Sequence, residues 1–285
     1  PVQSSLGSGD TVVISGNGTW TLTRAVTSNV RLSGGTLAQS TNTLTGRVMV
    51  KGANSTITGT GSINGALRVY DNTLTFGSNK TITSLSMDGG NVNLSAYVVT
   101  STSDFNLNSS GTISGTAGSG IFYTGTNNET NINAGILTID NAEFIGDKLD
   151  FASNGKIKTV NSGLFSFENT NNQITGASGS NFVDGTIRVY VKNSAKNPTF
   201  QTIYPLGEGS VYAPISVALT GNSITNAGLS SVSGNYGTHY IDFKYTGATN
   251  GFYAIDNSLV SVSGKEYWTL TSSNTNPAAK LQFTT

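Results

Sequence analysis

The chain has no cysteine, so neither disulfides nor thiolate metal sites can contribute to it. It has one histidine, His239, which leaves a zinc site or a histidine-based triad without the partners it needs. His239 therefore reads as a residue at the start of an apolar strand. Charge is scarce: 11% of the 285 residues are charged, with 15 Lys plus Arg against 15 Asp plus Glu. This balance argues against nucleic acid as a partner, and there is no acidic tail. No apolar run approaches the roughly 20 residues of a membrane-spanning helix, and the first residues do not read as a signal peptide. Proline is missing between Pro1 and Pro198, as a stack of fully paired strands requires, because each ring would remove a ladder hydrogen bond. The first residue is Pro1 rather than Met, which reads as a processed product or a segment of something larger.

Glycine is abundant, at 35 residues, and Ser, Thr and Asn are frequent. Such a composition suits disorder unless apolar residues recur regularly enough to build a core. Here they do. A short strand with apolar first and third positions recurs at Val12/Ile14, Val30/Leu32, Val48/Val50, Leu67/Val69, Leu85/Met87 and Phe105/Leu107. The spacings are 18, 18, 19, 18 and 20 residues. That period is too short for a βαβ unit and fits one turn of a solenoid. A turn follows each of these strands, at Gly16-Asn17-Gly18, Gly34-Gly35, Gly52, Asp71-Asn72, Gly89-Gly90 and Gly111.

A second apolar site follows seven to ten residues into each unit (Trp20/Leu22, Leu37, Ile57, Leu74/Phe76, Val92/Leu94, Ile113), and a third at fourteen or fifteen (Val26, Leu44, Ile63, Ile82). Three short strands per turn describe a parallel β-helix with coils stacked about 4.8 Å apart, right-handed by the usual crossover rule. Beyond residue 105 the pattern predicts first strands at Ile121/Tyr123, Leu137/Ile139, Leu149/Phe151 and Phe165/Phe167, a shortened period with third strands lost in some coils. The inward phenylalanines Phe105, Phe151, Phe165 and Phe167 read as core stacks.

Composition shifts near residue 182. Four of the five prolines and eight of the eleven tyrosines lie beyond it, with longer alternating strands at 186–191, 215–219, 240–245 and 267–270. The reading is all-β: a right-handed parallel β-helix over 1–182, then a β-sandwich-like capping domain over 183–285.

The run Gly185-Thr186-Ile187-Arg188-Val189-Tyr190-Val191, then Ile203-Tyr204-Pro205-Leu206-Gly207-Glu208-Gly209 with Tyr212-Ala213-Pro214-Ile215, and Ser263-Gly264-Lys265-Glu266-Tyr267-Trp268, resembles a module of very large secreted surface proteins of Bacteroidota. The resemblance covers about the last hundred residues. It implies export by the type IX route, a cell-surface location and an adhesin-like role.

Four acids cluster in sequence at Asp140, Glu143, Asp147 and Asp150, with Lys148 among them. On a β-helix, carboxylates on one face hold calcium or form an acid–base pair, so these are the calcium candidates, and calcium is the one cofactor the sequence suggests; the alternative is a solvated turn region. Asp10-Thr11-Val12 matches an O-glycan acceptor pattern, which makes Thr11 a glycosylation candidate. Thr19/Thr21, Thr56/Thr58 and Thr73/Thr75, with Asn91/Asn93 and Thr112/Ser114, form Thr-X-Thr-like rows that resemble those of ice-binding solenoids, although Thr is also an ordinary outward residue on a half-exposed strand. No catalytic constellation emerges. The expected function is a structural or adhesive segment of a secreted cell-surface protein, a stalk or filament element; the alternatives are a polysaccharide-active enzyme or carbohydrate-binding module, and ice binding. Expected partners are other copies or modules end to end, through the thinly protected edge Val12-Val13-Ile14, and a polysaccharide or cell-surface ligand.

Overall fold

The computed structural model describes residues 5–116, 119–167, 173–190, 200–220, 240–245, 268–272 and 280–284. Every described element is a β-strand, and the strands stack into a parallel solenoid of three faces. On the first face, the inward positions run Val12, Val30, Val48, Leu67, Leu85, Phe105, Thr130, Leu149 and Ile174, each paired with the next. These nine residues mark coils 1 to 9. The second face runs from Trp20 through Leu37 and Ile57 to Phe76, and later from Gly111 through Leu137, Ile157 and Val183 to Leu206. Along the third face Val26, Leu44, Ile63 and Ile82 lie in line, followed by the ladder Val99, Phe122, Phe144, Phe165 and Ile187.

The strand alternation predicted for the first six coils is present. Inward residues such as Val30, Leu32, Leu37, Leu44, Ile57 and Leu67 are fully buried, while outward neighbours such as Val13 and Arg31 are exposed. Each buried Val, Leu or Ile contributes about 1.5–3 kcal/mol through removal from water. The corner after the first strand is left-handed at Gly16, Gly34, Gly52, Asn72, Gly89 and Asn154. Coils stack closely there: a Cβ on Gly35 would lie 2.3 Å from Ile14 Cγ2 and 2.6 Å from the Gly18 carbonyl oxygen.

From coil 6 onward the structure corrects the predicted register. Of the four predicted first strands only Leu149/Phe151 is one. Ile121/Tyr123 and Phe165/Phe167 belong to the third face, and Leu137/Ile139 to the second. The true coil-7 strand is Glu129–Ile132, in which Thr130 occupies the inward position and breaks the apolar alternation. The period lengthens to 25 residues, from Phe105 to Thr130 and from Leu149 to Ile174, and coils 6 to 9 keep all three strands. In coil 6 the added residues are Thr124 to Asn128, at the corner between third and first strands. Of the predicted inward phenylalanines, Phe105, Phe165 and Phe167 join an aromatic stack built around Phe122 and Phe144, and Phe151 is buried in the core: Phe144 lies 5.0 Å from Phe105, 5.0 Å from Phe122 and 5.6 Å from Phe165 between ring centroids.

Parallel pairing also runs past residue 182, where the sequence reading ended the repeat. Thr186–Tyr190 adds in parallel to the third face, and Val183 pairs in parallel with Leu206. Antiparallel pairing then takes over: Tyr240–Tyr245 adds to Thr186–Tyr190 and Trp268–Ser272 to Tyr240–Tyr245. Phe200–Tyr204, Ile215–Thr220 and Lys280–Thr284 form a separate antiparallel sheet. Tyr204, Leu206, Ala213 and Ile215 join the solenoid core, with the Tyr204 ring 5.9 Å from Phe167. At the opposite end Leu6 packs against the core, and Val12, Ile14, Trp20, Leu22 and Val26 are all buried.

Candidate functional site

The four acids that are close in sequence are spread around the perimeter of the solenoid. Asp140 ends a second-face strand and accepts hydrogen bonds from the Asn141 and Asn161 amides. Glu143 lies on the outer side of the third face. Asp147 occupies the following corner, 7% exposed, and accepts the Asn127 backbone N–H at 2.8 Å. Asp150 stands on the first face and accepts from the Thr175 hydroxyl. Three strands per coil point three ways, so acids three or four residues apart turn the corners and separate. Among the described residues, no three His, Asp or Glu side chains group so as to hold a metal ion. Thr11 is exposed on the first strand, and His239 lies outside the described residues.

The threonine rows share one continuous column, and the second column beside it changes side between coils 3 and 4. Thr19, Thr36, Thr56 and Thr75 stack in register, and Asn93, Ser114 and Asp140 continue the line. Because Thr75 sits over Thr56, the Thr73/Thr75 pair is two residues out of phase with Thr56/Thr58.

The densest polar constellation is one that sequence reasoning missed, on the outer side of the third face in coils 7 to 9. The Glu143 carboxylate accepts from the Tyr190 hydroxyl at 2.7 Å and from the Ser166 hydroxyl, with the Arg188 guanidinium at 4.0 Å. Arg188 in turn grips Asp242 through two bonds of 2.7 and 3.0 Å, across the antiparallel pair that joins the last coil to Tyr240–Tyr245. Beside it Tyr123, Ile145 and Tyr190 form a small apolar cluster outside the main core, with Ile121 at its border. Burial first, and the Glu143 charge second, push the Tyr190 phenol well above its ordinary value. Burial alone acts to lower the Arg188 pKa, but the Asp242 hydrogen bond and charge, with Glu143, hold it above the usual arginine range. With Tyr190 held protonated and Arg188 held charged, and each bonded to a carboxylate, the arrangement acts as a latch. Its one visible trace in the sequence is Phe144-Ile145, two adjacent buried apolar residues that mark a strand covered on both sides.

A second unusual group is Lys80, 3% exposed at the start of a third-face segment. Its Nζ donates to Gln39 Oε1 and the Gly61 carbonyl, both at 2.8 Å, and to the Gly59 carbonyl. One ammonium thus ties coil 4 to oxygens supplied by coils 2 and 3. Burial lowers its pKa to about 8. A depression lined by Thr60, Asn79, Thr81, Val98 and Thr100 lies alongside. Comparison with known protein families, with curated proteins and with solved structures returns no match. No described helix is long and apolar enough to cross a membrane.

Proposed function

We propose that the chain is a stiff structural segment of a secreted cell-surface protein, a rod that extends and presents adhesive regions. The observation that carries this reading is the unbroken parallel ladder from Thr11 to Gly207, whose interior is filled by apolar side chains. Every coil is hydrogen-bonded to the next, so bending or stretching the rod means breaking ladder bonds together rather than one by one. Nine coils at the strand spacing span about 40 Å between first and last. The chemistry of the polar groups supports the same reading: Arg188 donates to Asp242 and pairs with Glu143, Tyr190 donates to Glu143, and Lys80 donates to backbone oxygens, so each is committed to holding strands together. The resemblance of residues 185–268 to secreted surface modules supports a place outside the cell for this rod.

The test combines location with activity. Protease shaving of intact source cells is expected to release peptides of this chain, and the purified chain is expected to leave neutral and uronate polysaccharides uncut over days. Steady release of oligosaccharide that disappears in a Glu143→Gln variant would overturn the structural reading in favour of a polysaccharide-active enzyme.

A further inference from the structure

The balanced total of 15 cations and 15 anions conceals a segregation along the axis. Residues 11–70 contain Arg24, Arg31, Arg47, Lys51 and Arg68 and no Asp or Glu. Residues 71–150 contain eight acids (Asp71, Asp88, Asp104, Glu129, Asp140, Glu143, Asp147, Asp150) against Lys80 and Lys148, and Lys80 is buried. The register places most of these charges on the outer side of the first face, in three parallel columns. The middle column reads Val13, Arg31, Met49, Arg68, Ser86, Asn106, Asn131, Asp150 and Thr175 from coil 1 to coil 9. One flanking column carries Asn29, Arg47, Ala66, Ser84, Asp104, Glu129 and Lys148 over coils 2 to 8, an order fixed by the ladder and by the bonds Arg47 N–H to Asn29 and Glu129 N–H to Asp104. The other carries Lys51, Tyr70, Asp88, Asn108 and Asn133 over coils 3 to 7. One sheet face is therefore predominantly cationic over coils 2 to 4, with Asp71 at its edge near Lys51 and Arg31, and predominantly anionic over coils 5 to 8.

We propose that two copies of the chain pair side by side, axes antiparallel, through this face. A two-fold axis in the plane of contact, crossing the rods at coil 5, keeps each column opposite itself and places coil n against coil 10 minus n. Arg47 in coil 3 then meets Glu129 of the second copy in coil 7, and Arg31 in coil 2 meets Asp150 in coil 8, each pair occurring twice. The uncharged or small residues Met49, Asn131, Ala66, Ser84 and Ser86 fall between, which allows the sheets to approach. Lys148 meets Asn29. Among the charged residues Asp88 alone meets its own copy, and each Asp88 is already neutralised by Arg68 at 2.8 Å and bonded by Asn108 at 2.7 Å. Arg31, Arg47 and Glu129 are exposed and, among the described residues, make no ion pair within the chain. A linear polyanion fits the face less well, because the cationic stretch covers three coils, about 10 Å, before the charge reverses. The contact is about 40 Å by 15 Å, or about 600 Å² per copy, at the lower limit of specific interfaces, so the pairing is reversible and salt-sensitive.

Sedimentation and small-angle scattering of the whole chain from 5 to 200 μM test the idea. The expected result is a concentration-dependent dimer twice as thick as the monomer and little longer, weakened by raising NaCl from 50 to 500 mM. Arg47→Glu should weaken it about tenfold or more, and Arg47→Glu combined with Glu129→Arg should restore it, with unchanged circular dichroism in both. A monomer at every concentration, an end-to-end dimer, a dimer indifferent to Arg47→Glu, or a monomer that captures polygalacturonate through Arg31 and Arg47 would each overturn the pairing. The proposal goes beyond the rod reading and fails separately from it: a monomeric rod in the scattering curve sinks the pairing alone, whereas a compact globular profile sinks the rod.

Discussion

Lys80 offers the sharpest test of how the coils are held. Its ammonium is buried, and its pKa falls from an ordinary 10.5 to about 8. The folded state therefore releases the proton more readily than the unfolded state. Between pH 8 and 10.5 the unfolded chain binds more protons at this site, so stability rises with pH across that window and is flat below it. A shift of this size corresponds to about 3 kcal/mol at 1.36 kcal/mol per pH unit. That is an upper bound, because the Gln39, Gly59 and Gly61 oxygens favour the charged form. We expect a gain of about 1–2 kcal/mol between pH 7.5 and 9.5, or about 2–8 °C in Tm for a chain of this size. The upper pH stays below the range in which the raised Tyr190 phenol acts in the opposite direction: its unfolded counterpart ionises first, near pH 10, and costs stability above that. The assay is thermal unfolding of the native chain and of Lys80→Met across this range. Lys80→Met should lose the slope while Arg24→Met, at an exposed site, keeps it. A flat native profile, or an equal slope in Lys80→Met, refutes the account of a charge held in a dry corner.

Four further outcomes follow from the packing. Leu67→Asp, which buries an unpaired carboxylate at a fully enclosed site, should melt far below Arg68→Asp, where the native side chain is 36% exposed; equal melting temperatures would refute the inward and outward assignment. Phe144→Ala removes the centre of the aromatic stack and should cost about 3–5 kcal/mol by chemical denaturation. Thr130 Oγ1 is buried without a hydrogen-bond partner, so Thr130→Val should raise stability by about 1–2 kcal/mol; a loss of stability would show that the hydroxyl is satisfied. Because Asp140, Glu143, Asp147 and Asp150 face different sides, calcium at about 1 mM should leave Tm unchanged; a rise of several degrees, lost in Asp147→Ala, would mean that the acids converge on an ion.

The sequence by itself determined the solenoid. Its signal is a local period, apolar-X-apolar followed by a turn, and inward burial at Val12, Val30, Val48, Leu67, Leu85 and Phe105 follows from that period without reference to distant residues. The turn chemistry was equally local, since glycine or asparagine stands wherever the corner after a first strand is left-handed. Which face a strand occupies in coils 6 to 9 was not determined locally. All three strands share one alternation, so only counting from corner to corner tells them apart, and the count failed where Thr124 to Asn128 lengthen a corner and Thr130 hides the next strand. Side-chain encounters between coils are decided by register alone, because residues about 20 apart in sequence become neighbours about 4.8 Å apart along the axis. For that reason Asp140, Glu143, Asp147 and Asp150, adjacent in the chain, end on different sides, while Glu143, Arg188 and Asp242, about 50 residues apart from one to the next, close into one latch. The same stacking turned Lys80 from one cation in a polar stretch into a buried tie among three coils, and gathered Arg31, Arg47, Lys51 and Arg68 on one face of a chain whose net charge is zero.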